Sequence, residues 1–291
     1  MSDEGRFAAG WLSLRERADH LARSQSLTDR ASDWLHRRAS DDRALSLVDL
    51  GCGAASNPAY LAGRLPGPQH WRLIDHDPAL LAQASSRLAR LIDADGRPLE
   101  WHCERQPLTP LRPTLLDGAD LVCASALFDL VSRKWAERLV QACVERRLAA
   151  LFTLSVSGDW AFVDAQGQRR EDAEDRWARA TYQAHQYRDK GFGTALGGDA
   201  PATLAEAFEA HGYRASQAAS PWRLPPGHAE TRTLGSALLA GWGDALREQC
   251  PEARERVATW LAARHAALEG GELGIEVGHL DLFAEPGEGQ P

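Results

Sequence analysis

Two short segments in the first third of the 291-residue chain constrain its fold more than any other feature. The first, SLVDLGCGAASN at residues 46–57, joins an apolar run to a glycine turn. The second, RLIDHD at residues 72–77, joins another apolar run to a carboxylate. Short apolar runs of this kind are typical of buried parallel strands. Together the two segments predict a strand, a glycine turn, a helix and a second strand, which is a nucleotide-binding βαβ unit.

The residues at the ends of the two strands have the chemistry that a nucleotide site needs. Gly51 and Gly53 allow the backbone to approach a ligand closely. Asp75 ends the second strand, where a carboxylate can accept hydrogen bonds from both hydroxyls of a ribose.

The rest of the chain continues the alternation of strands and helices. Further strands are predicted at 99–103, 120–125, 148–156, 213–219 and 273–283, and helices at 11–38 (a pair), 78–91, 133–146, 173–185, 201–211, 229–249 and 252–268. Strands that alternate with helices in this way predict an α/β fold with a doubly wound, mostly parallel sheet. The helices at 229–249 and 252–268 form an insertion before the last strand.

Composition excludes several classes of partner and site. The chain has 33 basic and 41 acidic residues and a formal charge of −8, which disfavours nucleic acid or an anionic membrane as a partner. Its five cysteines include no CxxC pair, so neither a zinc site nor a disulfide framework is indicated, and no metal is predicted. The sequence shows no signal region and no bilayer-spanning apolar run, which predicts a cytoplasmic protein.

Two residues of the first segment distinguish between the nucleotides that such a unit binds. Ser56 stands where a dinucleotide motif of the GxGxxG type has its third glycine. Asp49 precedes the turn, and its charge would repel a pyrophosphate but attract a sulfonium and an ammonium group. The pattern therefore favours S-adenosyl-L-methionine over NAD as the ligand.

Three motifs resemble those of the class I, Rossmann-like S-adenosylmethionine-dependent methyltransferases. They are VDLGCG, LIDHDPALL and ADLVCASALFDLV, and the resemblance covers roughly residues 45–156. The order of elements over residues 211–283 fits the C-terminal hairpin of that family. The N-terminal helices and the segment HQYRDKGFGTALGGDA look like those of a bacterial subgroup of unknown substrate. The resemblance implies a seven-stranded sheet whose last strand is antiparallel.

The resemblance also implies how the chain is organised. We expect one methyltransferase domain over residues 1–291, with N-terminal helices at 1–44 and a donor-binding core at 45–157. The segments 158–200 and 223–270 would then be insertions on the side of the methyl acceptor.

The resemblance implies a set of donor-binding residues. The methionine end of the donor would lie against the first motif, the ribose against Asp75, and the methyl group above Ser125. The adenine would lie near His76 and Glu104. The full set is Asp49, Gly51, Cys52, Gly53, Asp75, His76, Glu104 and Ser125. Ala55 stands near the place where the family often has a further glycine.

Two residues are candidates for acid–base work on the acceptor. Asp129 follows the fourth strand, where loops of such sheets line the ligand crevice, although it can instead cap the helix that begins near Ser132. His185 is the histidine that we predict as a base, since imidazole is the side chain suited to proton transfer near neutral pH, although the end of a helix also favours a surface histidine.

Other residues are candidates for acceptor binding. Arg23 or Arg15 can reach over the glycine turn to hold a carboxylate, or can lie on a solvated helix face. Gln186, Tyr187 and Lys190 lie in a glycine-containing segment that is either an anion-binding loop or a flexible lid. Trp222 is either a wall of the acceptor pocket or a core residue.

These features predict an enzyme that methylates a small polar metabolite by in-line displacement. An RNA or protein methyltransferase is an alternative, disfavoured by the absence of a basic patch and by ASALFD at the place of the asparagine-proline tetrad that many nucleic-acid amino-methylating enzymes have. A non-catalytic S-adenosylmethionine-binding scaffold is a second alternative. An NAD oxidoreductase is disfavoured by Asp49 and Ser56.

Overall fold

A computed structural model describes the backbone of residues 3–40 and 43–287, and the side chains of these residues from position 10 onward. The helices are α1 (Asp3–Ala22), α2 (Gln25–His36), α3 (Ser56–Leu61), α4 (Pro78–Leu88), α5 (Arg133–Glu145), α6 (Ala173–Gln186), α7 (Ala200–Glu209), α8 (Ala229–Gln249) and α9 (Arg254–Glu269). The strands are β1 (Leu45–Leu50), β2 (Gln69–Asp75), β3 (Glu100–Arg105), β4 (Leu121–Ser125), β5 (Ala149–Val163), β6 (Arg169–Arg170), β7 (Tyr213–Ala219), β8 (Trp222–Leu224) and β9 (Gly274–Pro286).

The strands form one sheet in the order β3-β2-β1-β4-β5-β9-β7. The first five strands of the chain pair in parallel, and β9 lies antiparallel between β5 and β7. The predicted doubly wound sheet with an antiparallel last strand is therefore confirmed. Two short strands add to the predicted seven, since β6 pairs with β5 and β8 pairs with β9.

Helices cover both faces of the sheet, which is why the central strands are apolar nearly throughout. On one face, α5 and α7 pack over a cluster that includes Phe128, Phe152 and Phe208. On the other face, α2, α3 and α4 pack over a cluster that includes Trp34 and Trp71. The sheet therefore holds the carboxyl ends of its parallel strands at one edge of a rigid core.

The fifth strand is longer than its predicted end at Val156. It continues through two irregularities in its pairing with β9 to Val163, and then turns back as β6. Trp160 and Phe162 are buried against Trp242 and Trp260 of the inserted helices. The polar residues around position 158 resemble a loop, so the sequence does not indicate that the strand continues beyond them.

The N-terminal helices are separated by a short break with its own hydrogen bonds. The Ser24 side chain accepts a hydrogen bond from the backbone N–H of Leu27 and so caps α2. The break allows α1 and α2 to run in different directions. Helix α2 packs on the sheet, whereas α1 passes above the glycine turn. No helix of the described part of the chain is long and apolar enough to cross a membrane.

Candidate functional site

A cavity of about 260 Å³ opens where β1 and β4 end, between the glycine turn and α1. This is the edge of an open α/β sheet at which ligands bind. Five of the predicted donor-binding residues line the cavity, namely Asp49, Gly51, Cys52, Gly53 and Ser125. The structure thus brings the first motif together with the end of the fourth strand.

The glycine turn has a left-handed backbone at several positions. Gly51 and Gly53 have φ angles of +65° and +52°, which side chains other than glycine adopt at a cost. A methyl group on Gly53 would lie 3.2 Å from Cδ1 of Leu12 on α1. Ala55 adopts the same region, with φ +61°, directly before α3. The turn therefore presents its backbone to the cavity with no side chain between.

Asp49 has the most unusual environment of the cavity residues. Its side chain is buried, with 1% exposed, and Oδ1 accepts a hydrogen bond from Nδ2 of Asn57 at 2.6 Å. Its other oxygen, Oδ2, has no hydrogen-bond partner among the described residues. Burial raises the pKa of Asp49 to about 7, although Asn57 and Arg23 favour the charged form. A carboxylate oxygen without a partner at a cavity suits a ligand that carries a positive charge.

Asp75 lies beneath the glycine turn and does not line the cavity. Its Oδ2 accepts a hydrogen bond from the backbone N–H of Gly53 at 2.9 Å, and Oδ1 accepts one from Asp77 at 3.0 Å. The exposed His76 lies beside it, with Nδ1 3.3 Å from Oδ1. Glu104 lies 3.8 Å from Nε of Arg72 and also outside the cavity lining. These three residues extend the site along the ends of β2 and β3.

Helix α1 forms the roof of the cavity. Leu12, Ser13, Arg15, Glu16 and Asp19 all line it. The sequence left open whether Arg15 or Arg23 reaches over the glycine turn or lies on a solvated helix face. In the structure α1 lies over the turn with Arg15 in the cavity lining, and a carboxylate as the ligand of either arginine stays a prediction.

An ion pair joins this roof to the opposite side of the cavity. Glu16 on α1 accepts hydrogen bonds from both terminal nitrogens of Arg87 on α4, one of them at 2.9 Å. The Arg87 guanidinium lowers the pKa of Glu16 below its usual range. Both residues line the cavity, so the pair closes one of its sides.

The sequence gives the same prediction for Arg23 and Arg15, but the two side chains have different environments in the structure. Arg23 is buried, and its terminal nitrogens donate to Oδ1 of Asn57 at 2.5 Å and to Oγ of Ser125 at 3.1 Å. Burial lowers its pKa, while Asp281, Asp19 and Asp49 oppose that shift. Arg23 therefore holds Asn57 and Ser125, which line the cavity, but does not line it itself. Arg15 does line the cavity.

Asp281 in the last strand is a buried polar residue that is not among those predicted from the sequence. Its Oδ1 accepts hydrogen bonds from the backbone N–H of Leu154 at 2.8 Å and from Oγ of Ser220 at 2.7 Å. Its Oδ2 accepts one from the N–H of Ser24 at 2.8 Å. One carboxylate thus ties β5 and the segment after β7 to the break between α1 and α2. The available signal was an acid within the apolar run from Leu280 to Ala284.

Asp129 lies on the loop after β4, half-buried and outside the cavity lining, four residues beyond Ser125, which does line the cavity. The cap of α5 is Ser132, whose Oγ accepts a hydrogen bond from Trp135, so Asp129 is not needed for that role. Burial raises the pKa of Asp129, and the positive charges of Arg15 and Lys190 oppose the shift. Its carboxyl is close enough to Tyr182 on α6 to help burial raise the pKa of that hydroxyl to about 12.

The other predicted acceptor residues lie outside the cavity lining. His185 is buried away from the cavity, with Nε2 2.9 Å from Oε2 of Glu248 on α8. Trp222 is buried, and its Nε1 donates to Oδ1 of Asp19, a cavity residue, at 3.0 Å. Gln186 is half-buried, and its Oε1 has no hydrogen-bond partner among the described residues. Tyr187 is exposed.

The glycine-containing segment near Lys190 forms hydrogen bonds between its own residues. The backbone N–H groups of Gly191 and Gly193 donate to Oδ1 of Asp189 at 2.7 and 2.9 Å. A carboxylate thus occupies the donors that an anion-binding loop would need, while Lys190 is exposed. Within residues 10–40 and 43–287, no group of three or more His, Cys, Asp or Glu residues could hold a metal ion.

Comparisons with known proteins give a likeness in structure. No protein-family model matches the sequence, and no curated protein matches it. A cyclopropane-fatty-acyl-phospholipid synthase-like protein from Lactobacillus casei is similar with a TM-score of 0.50 and 16% identity, over 92% of this chain and 99% of that one. A putative sarcosine dimethylglycine methyltransferase from Galdieria sulphuraria is similar with a TM-score of 0.44 and 13% identity, over 98% and 99%.

A further similar structure is a SAM-dependent methyltransferase from Geobacter sulfurreducens, solved with S-adenosyl-L-homocysteine. Its TM-score is 0.42 and its identity 13%, over 91% of this chain and 93% of that one. The sheet order and the likeness to the Lactobacillus protein show that the chain has the class I, Rossmann-like methyltransferase fold.

Proposed function

We propose that this protein transfers the methyl group of S-adenosyl-L-methionine to a small polar molecule. The observation that carries the proposal is Asp49, a buried carboxylate that lines the cavity with one oxygen unpartnered. The fold supports the same ligand, because its cavity lies at the carboxyl ends of the parallel strands, beside the glycine turn.

The charge of Asp49 favours a cationic ligand over a phosphate. Two unit charges 4 Å apart interact by about 4 kcal/mol at the effective dielectric constant of a protein surface. That attraction would favour the ammonium group of the donor, and the same carboxylate would repel the pyrophosphate of NAD. The unpartnered Oδ2 would gain a hydrogen bond when an ammonium group binds, which offsets the cost of its burial.

The chain's other residues would bind and shield the donor. Asp75, already fixed by the N–H groups of Gly53 and Asp77, keeps lone pairs for ribose hydroxyls. Helix α1 would exclude water from the site. When bound, the donor supplies a methyl group on a positively charged sulfur that is already activated for displacement. The protein's main task is then to align the acceptor.

Asp129 is the residue that we propose for contact with the acceptor. It lies on the loop after Ser125, and its carboxyl has a raised pKa because it is buried. A carboxyl whose pKa is raised in this way is a better base near neutral pH than a free aspartate. His185 is held by Glu248 at a distance from the cavity, so its placement gives no support to a role as the base.

The covering of the cavity favours a small acceptor. Helix α1 forms a roof over the cavity and would hinder the approach of a polymer strand. The formal charge of −8 also disfavours a nucleic acid. These two features together support a small molecule as the acceptor.

The test is a transfer assay with methyl-labelled donor, purified protein and a cell extract separated by molecular mass. We expect label to enter the low-mass fraction, and Asp49→Asn to reduce that incorporation by more than about tenfold, because the variant loses the charge that holds the donor. Asp244→Asn, the same change at a carboxylate that is 80% exposed and outside the cavity lining, is the matched control. Donor binding without any transfer would indicate a scaffold, and label in RNA or protein would indicate a polymer acceptor.

A further inference from the structure

The guanidinium of Arg15 on α1 is hydrogen-bonded through Nε, while its two terminal nitrogens are free of hydrogen bonds to the described residues. Its Nε donates to Oδ2 of Asp19 at 2.8 Å, and Oδ1 of Asp19 accepts a hydrogen bond from Nε1 of Trp222 at 3.0 Å. The guanidinium also lies over the Trp222 ring, 5.5 Å from its centroid. Because both oxygens of Asp19 are engaged and the indole is buried, the orientation of Arg15 is set before any ligand binds.

The two terminal nitrogens of Arg15 have no hydrogen bond to any described residue, in contrast to those of Arg23. The side chain is 15% exposed and lines the cavity. A planar pair of N–H donors, held in position and only partly hydrated, matches the two oxygens of a carboxylate or phosphate. Arg15 therefore has the geometry of an anion-binding residue.

The charge of Arg15 acts on the side of the cavity where the acceptor would bind. It lowers the pKa of Asp129, which burial raises, and it helps burial lower the pKa of His279 to about 3. The pKa of Asp49 is affected instead by Arg23 and Asp75. Arg15 lies over Trp222, whose ring centroid is 5.0 Å from that of His279 in the last strand, while Arg23 is bonded to Asn57, the partner of Asp49.

We infer that Arg15 binds an anionic group, a carboxylate or a phosphate, of the methyl acceptor. Asp129 then faces the part of the acceptor that receives the methyl group, so the acceptor is a small molecule with an acidic group at one end and the nucleophile at the other. This inference rests on the proposed function, because it assigns the second ligand of the same cavity.

The first experiment uses acetate and inorganic phosphate as probes of the anion site. Each is titrated by calorimetry into the wild-type protein saturated with S-adenosyl-L-homocysteine, and into Arg15→Met, Arg15→Lys and Arg17→Met. Arg17 is the control, since its side chain is on the same helix, 76% exposed and paired with Glu230 at the surface. We expect at least one anion to bind the wild type and the control, with affinity lower by about tenfold or more in Arg15→Met and lower to a smaller extent in Arg15→Lys.

The result that would overturn the inference is the absence of binding by either anion, or equal binding by Arg15→Met. Arg15→Lys guards against a folding defect, because it keeps the charge and the contact with Asp19. Folding of every variant is checked by its thermal unfolding.

The second experiment separates the acceptor from the donor as the source of the anion. Binding of S-adenosyl-L-homocysteine and of its decarboxylated analogue is compared in the wild type and Arg15→Met. We expect both affinities to change by less than about threefold, because Asp49 and Arg23 lie on the donor side. A tenfold loss for S-adenosyl-L-homocysteine alone would show that Arg15 binds the donor's carboxylate, and the inference would be wrong. If the wild type binds neither compound, the proposed function itself fails.

Discussion

The side-chain amide of Asn57 connects Asp49 to Arg23. Its Nδ2 donates to Oδ1 of Asp49 at 2.6 Å, and its Oδ1 accepts from the Arg23 guanidinium at 2.5 Å. The amide thereby links a cavity carboxylate to a buried cation that does not touch it directly. This arrangement keeps the carboxylate close to a compensating charge and leaves its Oδ2 buried without a hydrogen-bond partner among the described residues.

Asn57→Ala removes both hydrogen bonds of this bridge. We expect the free energy of unfolding to fall by about 1–3 kcal/mol, because Arg23 and Asp49 each lose a buried partner. We also expect weaker binding of S-adenosyl-L-homocysteine at pH 7, since Asp49 becomes harder to ionise. Urea denaturation and calorimetry measure the two effects. Gln141→Ala, at an exposed residue of α5 outside the cavity lining, should leave both quantities unaltered, and equal behaviour of the two variants would contradict the bridge.

Donor binding should depend on pH through Asp49. Its pKa is raised to about 7, so the carboxyl is largely protonated below that pH and cannot attract an ammonium group. We expect the dissociation constant of S-adenosyl-L-homocysteine to rise by up to about tenfold for each pH unit below 7, and to level off just above it. Calorimetry between pH 5.5 and 7.5 measures this slope. Asp49→Asn should bind weakly without that slope, and a slope that persists in the variant would assign the titration to another group.

The raised pKa of Asp49 has the opposite effect on the stability of the ligand-free protein. A carboxyl whose pKa is raised on folding holds its proton more tightly in the folded state than in the unfolded state. The contribution of Asp49 to stability is therefore present below pH of about 4 and is lost as the pH rises towards 7. The wild type should thus lose more stability than Asp49→Asn over this range.

The buried carboxylate of Asp281 should be important for stability. It accepts three hydrogen bonds and compensates the charge of Arg23. Asp281→Asn retains the shape but loses the charge and turns one acceptor into a donor, so we expect a loss of about 3 kcal/mol in the free energy of unfolding. Asp244→Asn is the control, because Asp244 is 80% exposed and pairs with Arg247 on the surface. Chemical denaturation should show a large loss for the first variant and none for the second.

The sequence was sufficient for the parallel half of the sheet because β1, β2 and β4 contain short apolar runs next to an acid or a serine, and β3 alternates polar and apolar residues. The strands β1 to β4 and the helices between them lie close to their predicted positions. The extension of β5 could not be predicted in the same way, since Gly158 and Asp159 resemble a loop and the burial of Trp160 depends on α8 and α9, which are distant in sequence.

Within the candidate site, local patterns predicted the glycine turn but not the groups that surround it. Gly51 and Gly53 follow directly from the motif. Asn57 and Asp281 depend on contacts across the fold, because Asp281 meets the break after α1 only once β9 lies beside β5. The difference between Arg15 and Arg23 likewise depends on which side of α1 faces the cavity, and helical periodicity alone does not decide that.

Asp49 is the residue through which we propose that the cavity binds a cationic methyl donor. The decisive measurement is the calorimetric titration of S-adenosyl-L-methionine and of NAD into the wild type and Asp49→Asn at pH 7.5. We expect S-adenosyl-L-methionine to bind the wild type, to bind the variant about tenfold or more weakly, and NAD to bind neither protein. Binding of NAD without S-adenosyl-L-methionine, or equal affinity of both proteins for S-adenosyl-L-methionine, would contradict this proposal.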